Sequence, residues 1–143
     1  MAKVTFLLGL AGSGKSFLAD KLQRETGAQK FEGTEGNEKQ TLLAAMVQHL
    51  KGGGSCTVEE IAYCHSRARE EIVAYLYNQV AGLEIEWICF ENDVEGSNWN
   101  VERRKNKGYI DEHLAINRCW HNLYTYPADA KIIRITRINE TTA

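Results

Sequence analysis

Gly9-Leu10-Ala11-Gly12-Ser13-Gly14-Lys15-Ser16 is the stretch on which the reading of this chain turns. It satisfies the pattern G-x-x-x-x-G-K-[ST], and physical chemistry sets that spacing. Glycines let the backbone curl tightly enough for successive N–H groups to point into one concavity. A helix starting at the end of the loop aims its positive dipole end at the same place. Both flanks are present. Lys3–Leu8 is a β-rich apolar run, and Ser16-Phe17-Leu18-Ala19-Asp20-Lys21-Leu22 continues as a helix. The motif predicts a nucleoside triphosphate cradle made by Gly9, Ala11, Gly12, Ser13, Gly14, Lys15, Ser16 and Phe17. Lys15 reaches the β- and γ-phosphates as a catalytic charge, and the Ser16 hydroxyl is expected to ligate Mg²⁺ brought in with ATP or GTP.

Outward from the motif, strand-like and helical stretches alternate. Strands are expected over 3–8, 28–32, 55–63, 83–90 and 131–138. Helices are expected over 15–26, 38–50, 66–80, 94–107 and 110–123. Leu42, Leu43, Met46, Val47 and Leu50 fall at helical spacing. Lys51-Gly52-Gly53-Gly54-Ser55 reads as a helix stop and turn rather than a linker. Alternating β and α units predict a doubly wound α/β domain spanning 1–143, with a five-stranded parallel sheet and helices on both faces. Right-handed crossovers put the strand C-terminal ends on one edge, where ligands bind in such sheets.

Composition excludes several classes. A net charge of −2 gives no reason to expect a polyanionic partner over the whole surface. No apolar run reaches the ~18 residues of a membrane span. The opening apolar stretch runs into Gly9 and Lys15 without a cleavage site, so it reads as a strand and the protein as cytoplasmic. Cys56, Cys64, Cys89 and Cys119 form no Cys-x-x-Cys pair and read as reduced core residues. Cys64, His65, Cys119 and His121 lack the spacing of a zinc site.

The arrangement resembles small P-loop kinases of the polynucleotide-kinase, zeta-toxin and gluconate-kinase type. The likeness rests on Lys3–Ala19 and, more loosely, on 56–72 and the strand Trp87-Ile88-Cys89-Phe90 leading into Asn100-Val101-Glu102-Arg103-Arg104-Lys105-Asn106-Lys107-Gly108. It implies transfer of a γ-phosphate to a small acceptor such as a nucleoside, nucleotide, nucleic-acid end or metabolite. It implies a lid over about 94–123, in which Asn100 contacts nucleotide and Arg103 and Arg104 neutralise the transferring phosphoryl group. A solvated helix face explains the same charge run. Tyr126-Pro127-Ala128-Asp129-Ala130-Lys131 corresponds to a loop bordering adenine, through Pro127, or to a plain turn.

The acids depart from the family pattern. The middle strand ends in Glu59 and Glu60, earlier than its usual Asp, and Glu60 is the expected metal-side carboxylate. The general base falls at the end of the second strand, on Glu32 with Glu35 second; both also read as surface acids. Arg67 and Arg69 are candidates for a phosphate-bearing acceptor, or surface charges. A nucleotide-binding switch or slow NTPase acting through a protein partner remains the rival reading. Asn106-Lys107-Gly108-Tyr109 lacks the Asp of a guanine motif.

Overall fold

The computed structural model describes residues 2–104 and 107–138, without the side chain of Lys107. Lys3–Leu8 forms β1, the middle strand of a five-stranded parallel sheet. Five of its six residues are buried, as a strand covered on both faces requires. Chain order then gives α1 (Lys15–Thr26), β2 (Gln29–Glu32), α2 (Lys39–Lys51), β3 (Ser55–Glu59), α3 (Ser66–Gln79), β4 (Glu84–Phe90), α4 (Val94–Glu102), α5 (Ile110–Trp120) and β5 (Lys131–Ile133). The strand order is β2-β3-β1-β4-β5. The expected doubly wound architecture is thus the observed one.

The two faces of the sheet differ. Val4, Phe6 and Leu8 of β1 face the larger core, with Leu43, Met46, Val47 and Leu50 of α2 and Ile72 and Leu76 of α3. Leu7 faces the other way, against Ala19 of α1 and Ile88. Towards the strand starts, that second face is polar: Lys3 and Thr5 bond Glu86 at 3.3 and 3.5 Å. This explains the alternation at the start of β4. Ile85 and Trp87 pack into the larger core, while Glu86 sits among polar neighbours.

Two strands are shorter than the sequence suggests. β3 stops at Glu59 because the Glu60 carboxylate accepts from Ala62 N–H at 3.2 Å and caps a 3₁₀ turn, Ile61–Cys64. β5 stops at Ile133, and 134–138 runs on without a strand partner. α4 ends at Glu102, short of the expected 107, and a 3₁₀ turn at Lys107–Tyr109 precedes α5.

Arg69 is not available to an acceptor. It is buried, with Nη1 donating to the carbonyls of Tyr63, Cys64 and Thr125 at 2.8–2.9 Å and Nη2 to Thr125 Oγ1 at 2.9 Å. It staples the segment after α5 to the start of α3. Arg67 is exposed, 3.9 Å from Glu71. None of the described helices is long and apolar enough to cross a membrane. Replacing Arg69 with Leu removes the guanidinium donor from the Tyr63, Cys64 and Thr125 carbonyls, of which Cys64 keeps Thr125 N–H at 3.0 Å. Unfolding free energy should fall by about 2 kcal/mol or more, read from the denaturant midpoint. A change within about 0.5 kcal/mol would show the staple to be dispensable.

Candidate functional site

β1 delivers the loop 9–14 to the C-terminal edge of the sheet, and α1 departs from it. Gly12 and Gly14 adopt φ of +87° and +111°, values that side chains disfavour. A Cβ at Gly12 would also lie 2.3 Å from the Ser97 carbonyl oxygen of α4. Gly9 has a different reason: its Cβ would meet Ser13 Oγ at 2.5 Å. Leu18 N–H pairs with the Gly14 carbonyl. The N–H groups of Lys15, Ser16 and Phe17 precede it, where a helix start has no partners of its own. Phe17 is 73% exposed, so its contribution is its backbone.

The loop is held from behind by two buried amides. Asn117 of α5 accepts from Ala11 N–H at 2.8 Å and donates to the Ala11 carbonyl at 2.9 Å. Its amide also donates to Asn98 Oδ1 at 2.9 Å. Asn100 of α4 donates to the carbonyls of Gly12 and Thr136, both at 2.9 Å, and accepts from Ile138 N–H at 2.7 Å. Asn100, expected to contact nucleotide, has its amide engaged by these three backbone groups. α4 and α5 are bonded to the loop itself, which a freely swinging lid over 94–123 would not be.

A cavity of about 800 Å³ opens over the loop. It is lined by residues 10–18 and by Lys21, Phe90, Asn100, Arg104, His113, Ile133, Arg134, Thr136 and Ile138. Four of these are cations, Lys15, Lys21, Arg104 and Arg134, and no carboxylate is among them. Lys15 Nζ folds back onto the Gly9 carbonyl. Burial pulls its ammonium below the usual lysine value, against the raising effect of Cys64, Glu59 and Glu60.

Pro127 is not part of this lining. It precedes β5, and the parallel direction of that strand brings the residues after it, Arg134, Thr136 and Ile138, to the cavity instead. The two arginines also part company. Arg104 faces the cavity, whereas Arg103 stacks on Trp99 with its guanidinium carbon 3.2 Å from the ring centroid. Lys105 and Asn106, the neighbouring lid candidates, lie outside the described residues.

On the β3 side, Ser16 Oγ donates to Glu59 Oε2 at 3.0 Å. Glu59 Oε1 is buried without a partner among the described residues. Burial pushes the Glu59 carboxyl up, the Ser16 bond opposes that, and Glu32, its register neighbour, adds to the rise. Glu59, rather than the expected Glu60, is thus the acid beside Ser16; Glu60 spends its oxygens on Ala62 N–H and, at 3.4 Å, on Glu35 N–H. A serine hydroxyl next to an under-used carboxylate is an oxygen donor set that fits Mg²⁺. Glu32 is exposed at the end of β2. Glu35 is committed, accepting from Tyr63 Oη at 2.9 Å and Lys39 at 3.0 Å.

Three of the cysteines are packed in the interior. Cys56, Cys64 and Cys89 are buried and Cys119 is exposed, and burial raises the thiols of Cys56 and Cys89 to about 12 and about 11. Among the described residues no group of three or more His, Cys, Asp and Glu could hold a metal by itself.

Solved structures with this fold include P-loop kinases. A gluconokinase from Sinorhizobium meliloti superposes with a TM-score of 0.65 at 13% identity, covering 95% of this chain and 84% of its own. A sugar kinase from Janibacter gives 0.61 at 15%, covering 94% and 85%. A fungal RNA kinase gives 0.60 at 11%, covering 98% and 77%. At these identities the likeness establishes the fold, which is the P-loop kinase fold that the sequence resemblance implied. No family model and no curated protein sequence matches the chain.

The loop's anchorage is open to test. Asn117→Ala leaves both polar groups of Ala11 without partners. Stability should fall by about 2 kcal/mol or more, and the dissociation constant for Mg-ATP should rise about tenfold or more. Unchanged calorimetric affinity would show that the loop holds its shape alone.

Proposed function

We propose that this chain is a phosphotransferase that moves the γ-phosphate of ATP or GTP to a hydroxyl acceptor. One observation carries the reading: the cavity over the P-loop is lined by four cations and no carboxylate, in a protein of net charge −2. That concentration of positive charge suits a triphosphate. Backbone N–H groups at the start of α1 cradle it, Lys15 exchanges the Gly9 carbonyl for phosphate oxygens, and Arg104 supplies a planar donor opposite. The kinase names of the structural neighbours support the same class.

Ser16 and Glu59 would hold Mg²⁺, which supplies charge neutralisation between the β- and γ-phosphates. Glu32 is the favoured general base. It stands at the end of β2 beside Glu59 and has no role in the hydrogen bonds that tie up Glu35 and Glu60. Arg103 is assigned to packing with Trp99, and Arg104 to the transferring group.

The chemistry of the acceptor side favours one substrate class. Glu32, Glu35, Glu59 and Glu60 lie at the ends of β2 and β3 and the turns that follow. Of the cations on these elements, Lys30 pairs with Asp20, Lys39 with Glu35 and Arg69 with three carbonyls, while the exposed Arg67 lies 3.9 Å from Glu71. A phosphorylated or carboxylate acceptor would meet repulsion there, while an uncharged or cationic alcohol would not.

Label transfer from γ-labelled ATP to a panel of alcohols tests this. Transfer should favour neutral polyols and amino alcohols over sugar phosphates, nucleotides and sugar acids, and should require Mg²⁺. Lys15→Ala should abolish transfer without lowering the melting temperature. Phosphate release with no acceptor labelled would instead support a hydrolysing switch. Full turnover in Lys15→Ala would overturn the assignment.

A further inference from the structure

Arg104, just beyond α4, and His113, in the first turns of α5, meet at the cavity that Lys15 also lines. Arg104 Nη1 is hydrogen-bonded to His113 Nδ1. A guanidinium has only donors, so Nδ1 must accept. That fixes the ring as neutral imidazole with its proton on Nε2. Tyr109 stacks near the ring, with centroids 6.1 Å apart and planes 20° from parallel. The ring is therefore held in orientation by two contacts.

We propose that His113 is a positioning residue whose neutral Nδ1 aims the Arg104 guanidinium at the γ-phosphate, and that protonation of the ring undoes this aim. The proposal rests on the reading of the cavity as a triphosphate site. Protonation turns Nδ1 into a donor, so the bond is lost and two cations face each other. Among the described residues Arg104 then loses its acceptor on α5, and a guanidinium without that restraint samples more rotamers.

The surroundings decide where the switch lies. Among the described residues, the charged groups felt by His113 are Arg104 beyond α4, Lys15 at the start of α1, and Glu112 on α5 itself. Burial and the two cations outweigh the exposed Glu112 and hold the imidazole below its usual 6.5. A depressed imidazole is neutral at physiological pH and charges only on acidification. The aimed state therefore belongs to neutral and alkaline conditions and is lost in acid.

The readout is the preference for ATP over ADP, measured as the ratio of their calorimetric dissociation constants with Mg²⁺ at about pH 8 and about pH 5. This ratio isolates what the γ-phosphate gains from Arg104. Wild type should show a strong preference at the higher pH that drops about tenfold at the lower one. Arg104→Ala and His113→Leu should show the weak preference at both. His113→Asn, whose amide oxygen sits near the place of Nδ1 and does not titrate, should restore the preference equally at both. Comparing variants cancels the titration of the nucleotide itself, and melting temperatures without ligand monitor the fold.

Three outcomes overturn the proposal while leaving the triphosphate site standing. One is a wild-type preference for ATP that acid does not change. Another is an acid loss that persists undiminished in His113→Asn, which assigns it to another group. The third is a preference that rises in acid, which makes the imidazolium itself a phosphate ligand. No nucleotide binding by wild type at the higher pH would remove the site and the proposal together.

Discussion

The N–H groups of Lys15, Ser16 and Phe17 open α1 and have no partners within the helix, so they do nothing to hold the loop before them in shape. In this chain the compensating restraint comes from the opposite side of the loop. Asn117 takes both polar groups of Ala11, and Asn100 takes the Gly12 carbonyl. Gly12 can press against the α4 backbone because it has no Cβ. Much of the arrangement of α4 and α5 follows from this requirement. They support the loop from behind through bonds to its backbone. The same Asn100 side chain also carries the backbone of Thr136 and Ile138, so the segment beyond β5 shares the support.

What the sequence made legible was local. The motif, its flanking strand and helix, and the α2 and α3 core faces all follow from periodicity and glycine chemistry within a few residues. The choice between Glu59 and Glu60 was a question of parity. Glu59 is in register with Leu7, which packs against α1, so its side chain shares the face of the helix that bears Ser16. A strand read as running to 63 hides this, because neighbouring side chains point to opposite faces. Asn117 and His113 carry no sequence signal, and Arg69 reads as an acceptor contact rather than a staple, since each answers to groups far away in the chain or hidden behind a turn. The Pro127 loop enters β5, so it is the residues leaving that strand, not Pro127, that line the cavity.

The charge distribution divides the ligand edge into two territories with the start of α1 as the border. One side is cationic, and the other carries glutamates whose lysine neighbours are already engaged. A net charge near neutrality conceals this, because the whole-chain sum averages two local fields of opposite sign. Lys15 stands at the border and feels both: Arg104 lowers its pKa, while Glu59 and Glu60 raise it.

The distance in sequence between the loop and its support also orders events in time. Ala11 and Asn117 are 106 residues apart. On a ribosome adding roughly 5–20 residues per second, the loop is in existence for several seconds before its partner is made. The loop is thus synthesised well before the residue that supports it. Until α5 docks, β1 and α1 are joined by a glycine-rich hinge, so a nascent chain stalled before residue 117 carries the whole motif without its Asn117 support.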